Sequence, residues 1–151
     1  MEVFVDAVLV ASSIALFCYW FRYSCLLILS AETAHDYSRE VARANQLSFP
    51  EVRSRLRKRD VADLDCLHKC LERDFAILEG LLEHAPIAGC YVGFEDVMLK
   101  ILFRSMGVCF HLTRGSWREF ASDALREMSL VVVHLANQWG ERSFESASPS
   151  F

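Results

Sequence analysis

The sequence predicts an all-α protein: one N-terminal transmembrane helix continuing into a juxtamembrane stalk, then a small antiparallel cytoplasmic bundle of about three helices and a short tail. Three observations predict it. The 23 residues from Ala7 to Leu29 carry a single charge, Arg22. Beyond Pro50, apolar residues recur every three or four positions, the period of a helix face. No stretch of useful length alternates apolar and polar residues as a half-buried strand would. The expected divisions are 3–29 for the span, 30–47 for the stalk, 48–140 for the bundle and 141–151 for a flexible tail.

Composition narrows the class. A chain of 151 residues, 53% apolar and with a mean hydropathy of +0.21, holds one modest domain and is too apolar to be disordered. Charge is uneven. Residues 1–31 net -1, residues 32–59 net +3 and residues 60–151 net -6, for -4 in all. With a pI near 5.7, no nucleic-acid partner is expected, because such a partner needs a basic domain to displace counterions from phosphate.

The apolar run of 23 residues would extend roughly 35 Å as a helix, enough to cross a hydrocarbon core of about 30 Å. A signal peptide is the rival reading. It lacks support, because the start Met1-Glu2-Val3-Phe4-Val5-Asp6 has no positive region and no clear small-residue cleavage site follows. Arg39, Arg43 and the run Arg53, Arg55, Arg57, Lys58, Arg59 all lie on the C-terminal flank. Since basic residues resist translocation, the expected topology is N-terminus outside and bundle in the cytoplasm. Within the span, Arg22 sits with Tyr19, Trp20 and Tyr23. An interfacial aromatic belt with Arg22 snorkelling to the headgroups explains this group, and pairing with an acid on a partner span is the alternative. Cys18 and Cys25 are read as small apolar residues of the span, with acylation as the alternative.

Beyond Leu29 no stop signal appears, so the helix is expected to continue through Glu32, Arg39 and Arg43 to about Asn45. Ser48-Phe49-Pro50-Glu51 is a start signal: a capping Ser, an acid three residues on and Pro in the first turn. The helix it opens would place Val52, Leu56, Leu64, Leu67, Leu71, Phe75, Leu78 and Leu82 on one face, ending in the turn Ala85 to Gly89. A brief strand over Gly89 to Phe94 would have no partner. Glu95 and Asp96 suit the start of a helix carrying Val97, Leu99, Ile101, Leu102, Phe103, Met106, Phe110 and Leu112. After Thr113-Arg114-Gly115, the box Ser116-Trp117-Arg118-Glu119 opens a last helix with Phe120, Ala124, Met128, Val131, Leu135 and Trp139 on one face. Gly140 is expected to end it, with Ser143 to Phe151 frayed.

Several constellations could carry chemistry. Five cations between Arg53 and Arg59 suit anionic lipid or an acidic partner, each worth about 1 kcal/mol near a membrane surface, or form a solvated helix face. Glu32 with His35 and Asp65 with His68 have the spacing of metal-binding helix pairs, but the further inward Glu residues of such a site cannot be assembled. Cys66 and Cys70 lack the second pair that zinc motifs need, and cysteines facing a reducing cytoplasm are expected to be free thiols. His111 and His134 adjoin apolar stretches and are read as core or boundary residues. There is no phosphate-binding glycine loop, no G-x-S-x-G and no H-E-x-x-H.

The expectation is a non-catalytic single-pass membrane protein with no cofactor, an accessory, scaffold or regulatory subunit of a membrane complex. Its membrane or partner contacts would be Trp20, Arg22, Tyr23, Arg53, Arg55, Arg57, Lys58 and Arg59. The partners are the lipid bilayer, a protein partner or a second copy, and anionic lipid. Trp117, Tyr91, Phe94 and the strip Leu130 to Val133 would be surplus to the core and available for docking. Two alternatives stand beside this: a tethered metal or haem protein using His35, His68 or His111, and a small signal transducer.

Overall fold

The computed structural model describes residues 1–31, 35–59, 62–84 and 93–147. The turn Ala85 to Gly89, Cys90, Tyr91, Glu32 and the last four residues of the tail lie outside these. Six helices and no strand occur among the described residues: α1 (Glu2–Ser30), α2 (Ser38–Ala44), α3 (Phe49–Arg57), α4 (Leu64–Glu83), α5 (Phe94–Thr113) and α6 (Arg118–Ala147). They fall into two units, Met1–Ala31 and Glu32–Phe151.

The first unit is α1, 29 residues or roughly 43 Å at 1.5 Å per residue, and it is long and apolar enough to cross a membrane. It does not run on into a stalk. Ser30 Oγ donates back to the Leu27 carbonyl at 2.9 Å, a local bond that competes with the helix ladder. Ala31 is then extended, at φ -60° and ψ 121°. The expected stalk is therefore replaced by a helix end and, from Ser38, a short helix of the second unit.

That helix has its own start and stop. The Asp36 carboxylate accepts from the Ser38 N–H at 3.1 Å and from the Ser38 hydroxyl at 2.5 Å, an Asx turn that sets the chain for α2. At the other end Gln46 is left-handed, at φ 53°. The Leu47 N–H reaches the Ala42 carbonyl at 2.9 Å and the Gln46 N–H reaches that of Arg43 at 3.5 Å, the paired bonds of a Schellman cap.

One long helix was expected from Ser48 to Leu82; the chain forms two. Arg59 turns left-handed at φ 54°, and Asp63 caps α4 by accepting from the Cys66 N–H at 3.1 Å. The start of α3 also differs from the expected box, because Ser48 makes no side-chain cap. Its acceptor comes instead from α4: Asp74 Oδ2 takes the N–H groups of Ser48 at 2.7 Å and Phe49 at 2.6 Å.

Contacts between α4 and α5 run in opposite directions along the two helices: Asp65 to Arg114, His68 to Phe110, Phe75 to Phe103, Glu79 to Lys100. The helices are antiparallel. α6 is central, packing against α2, α3, α4 and α5. Hence it is buried on more than the one predicted face: Ala121, Leu125, Val132 and Ala136 are covered as well as Ala124, Met128, Val131 and Leu135. The strip Leu130 to Val133 is not surplus, since Val131 and Val132 are fully enclosed.

Gly140 does not end α6, which is 30 residues long and runs to Ala147. Its role is close approach: a Cβ there would meet Tyr37 Cβ and lie 3.3 Å from Val41 Cγ2. The missing side chain is what lets α2 lie on α6, and Phe144, assigned to a frayed tail, faces the Tyr37 ring at 6.0 Å between centroids.

Candidate functional site

The candidate membrane contacts on α1 form a local aromatic cluster. The Trp20 and Tyr23 rings meet edge-on at 6.2 Å and Tyr19 stacks with Tyr23 at 6.4 Å, with Arg22 in the same turn. All three rings are exposed, as rings at a headgroup boundary would be.

The five cations predicted to act together do not share one surface. Arg53, Arg57 and Lys58 line a cavity of about 390 Å³ between α2 and α3, together with Arg39 and Asp36. Arg55 turns to Glu51, 3.9 Å away along the helix. Arg59, beyond the end of α3, lines a different hollow with Arg118 and Arg126. The division follows from helical geometry: residues 53 and 57 are four apart and share a face, whereas 55 projects away from both. Arg55, Lys100, Arg114, Arg126 and Arg142 form ion pairs, whereas no acid among the described residues lies within ion-pair distance of Arg39, Arg53, Arg57 or Lys58. The hydrogen bond from Ser38 holds the Asp36 carboxyl below its ordinary range, against a small desolvation cost and with help from Arg39 and Arg53. Asp36 is thus an anion at neutral pH, within reach of the charges of Arg39 and Arg53, in a cavity that Arg57 and Lys58 also line. Arg39 had been assigned to a stalk; its place beside α3 depends on a turn that helix periodicity does not reveal.

A second cavity, of about 500 Å³, lies between α4 and α5 and is lined by Phe75, Phe103 and Met128 below and Glu72, Glu79, Arg104 and His111 around them. His68 lies beside it, 3% exposed, stacked on Phe110 at 4.5 Å and edge-on to His111 at 4.9 Å. Its Nδ1 is 3.6 Å from Glu72 Oε2, beyond hydrogen-bond reach. Nε2 is buried without a hydrogen-bond partner. Burial pushes the His68 pKa down; Glu72 opposes and His111 adds to the shift, so the ring is neutral at pH 7. Of the three histidines considered for metal or haem, the fold brings His68 and His111 together and sets His35 against Tyr37, 4.5 Å away. No group of three His, Cys, Asp or Glu side chains with metal-binding geometry occurs among the described residues. Cys66 and Cys70 are free thiols, and burial followed by the neighbouring Cys66 raises the Cys70 pKa.

Two features were not anticipated. Asp74, fully buried, is the tie between α3 and α4; an acid on the apolar face, one residue before Phe75, was the available signal. The other is the outer face of α5. Phe94, Val97, Ile101, Val108 and Leu112 are all exposed and spaced 3, 4, 7 and 4 apart, which places them in one stripe. They lie opposite the buried set Leu99, Leu102, Phe103 and Phe110. Phe94 and Trp117 are exposed as expected of surplus apolar residues. The exposed rings of Trp117 and Phe120, 5.5 Å apart, lie just past the end of α5 in the chain.

Comparison with protein-family models, curated proteins and solved structures gives no match.

Proposed function

We propose that this chain is a non-catalytic single-pass membrane protein, an accessory, scaffold or regulatory subunit of a membrane complex, with its N-terminus outside and its helical unit in the cytoplasm. The length and apolarity of α1 support the anchor. The placement of arginine and lysine on its C-terminal flank alone supports the orientation.

The observation that carries the subunit reading is the outward stripe of α5. Five large apolar side chains in one line are more than the scattered exposure normal for a monomer. Burying each is worth about 1.5–3 kcal/mol, so a helix from a neighbouring subunit lying along the stripe would be held by several of them at once. Extraction of the full-length chain in mild detergent, followed by sizing and identification of what migrates with it, tests this. A stoichiometric companion that is lost in Ile101→Ser/Val108→Ser, with helicity unchanged, is the expected result. A particle of twice the chain's mass would make the companion a second copy. A wild-type chain running alone, or a variant that keeps its companion, contradicts the subunit reading.

A further inference from the structure

We propose that the cavity between α2 and α3 binds a phosphate monoester through Arg39, Arg53, Arg57 and Lys58. These four cations line one space of about 390 Å³ in which Asp36 is the only acid among the described residues, so those residues net +3. That volume is in the range of small-molecule sites, about 300–1,000 Å³. Like charges gathered in one place repel, and Asp36, whose Oδ1 is occupied by the Ser38 N–H and hydroxyl, offsets only part of this. A phosphate monoester carries about -1.5 to -2 at neutral pH and three acceptor oxygens, which matches the excess.

The donors suit that group. Guanidinium forks engage phosphate oxygens bidentately, and Lys58 adds a point charge. Arg53 and Arg57 are four residues apart on α3, and Arg39 approaches from α2, so the set is convergent rather than a run along one helix. The hydroxyl of Ser54 lies in the same wall, and Phe49 and Pro50 give it an apolar part against which a carbon chain next to the ester could rest. Arg55 and Arg59 belong to the same basic run but not to this cavity, which separates a site from general basicity.

The ester could be the headgroup of an anionic lipid or a soluble metabolite. The lipid source rests on the membrane reading above, in which Arg39 follows Ser30, the last residue of α1, by only nine residues; the chemistry of the cavity does not depend on that reading.

The test is native mass spectrometry of the full-length protein in mild detergent, titrated with dioctanoyl phosphatidic acid, glycerol 3-phosphate and dioctanoyl phosphatidylcholine. One-to-one binding of a monoester over phosphatidylcholine is expected, at least tenfold weaker in Arg39→Gln/Arg53→Gln and within twofold of wild type in Arg55→Gln. Binding of phosphatidic acid well above glycerol 3-phosphate supports the site and assigns the ester to lipid; equal binding supports the site and assigns it to a soluble compound. No preference for either monoester overturns the proposal, as does equal weakening by Arg55→Gln. Retention of the chain in alkali-washed membranes, measured on the same variants, separates failure of this site from failure of the membrane reading. Arg39 is exposed and Arg53 half-buried at the rim, so loss of binding with an unchanged melting temperature reports the site and not the fold.

Discussion

Asp74 shows how a single buried acid decides whether two helices form one body. Its Oδ2 is the acceptor for two backbone N–H groups at the start of α3. Removing it leaves both without a partner, a cost of about 1–3 kcal/mol for each buried donor. Asp74→Ala is therefore expected to lower unfolding free energy by about 2–4 kcal/mol in denaturant melts, and Asp74→Asn, whose amide oxygen can accept the same bonds, by about 1 kcal/mol or less. Burial raises the Asp74 pKa above its ordinary 3.8, against the pull of the two backbone bonds and Arg73. The folded state then holds the proton more tightly than the unfolded chain, and stability from this group is present below pH 3.8 and falls as pH rises through the folded pKa. Relative to Asp74→Asn, wild type should gain stability on acidification through that window; an unchanged difference would show that the carboxyl is not perturbed. Histidines act the other way. His68 and His134 are both held below the usual 6.5 by burial, with acids opposing at each and His111 adding at His68. Below pH 6.5 the unfolded chain takes up protons first, so stability present above 6.5 is lost as pH falls towards the folded values. The melting temperature is expected to drop between pH 7.5 and 5.5, and by less in His68→Phe, which keeps the stack on Phe110. An equal drop in the variant would remove His68 as a cause.

At the scale of elements, long runs were legible and their ends were not. The core stripe of α4 read directly from spacing because burial imposes the helical period, whereas the runs named on α5 and α6 mixed buried residues with Val97, Ile101, Leu112 and Phe120, which are exposed. Leu64, Leu67, Leu71, Phe75 and Leu78 are all inside. The break between α3 and α4 was visible in principle: the stripe skips from Leu56 to Leu64, and Asp63 is a capping residue. Periodicity alone ran the two together. The basic cavity was half legible, with Arg53, Arg57 and Lys58 named from sequence and Arg39 brought in by a turn that depends on Asp36 and Ser38. Gly140 was misread because a glycine near a helix end resembles a stop, whereas its reason lies on another helix. Substitution separates the two roles. Gly140→Ala adds about 1 kcal/mol of helix propensity but forces a Cβ into Tyr37, an overpacking cost of about 1–3 kcal/mol. A net loss of up to about 2 kcal/mol is expected in denaturant melts, and in a Tyr37→Gly background the same change should become stabilising. Stabilisation in both backgrounds would mean that α2 does not press on α6 here.

In the whole molecule, an apolar helix long enough to cross a bilayer precedes in sequence a helical unit whose central α6 is enclosed and whose α5 shows apolar residues on both sides. A helix apolar on opposite faces and covered on only one is an incomplete arrangement for a soluble monomer. The proposed role as a membrane subunit rests on this uncovered face. The claim that organises the rest is topological, and the protein carries its own reporter, the exposed Cys66 thiol on α4. Full-length protein in sealed, right-side-out native vesicles is treated with a membrane-impermeant maleimide before and after the membrane is opened, and the vesicles are then washed with alkali. The account predicts that Cys66 labels only after opening and that the chain stays with the washed membrane; labelling in sealed vesicles, or release of the chain by alkali, would contradict it.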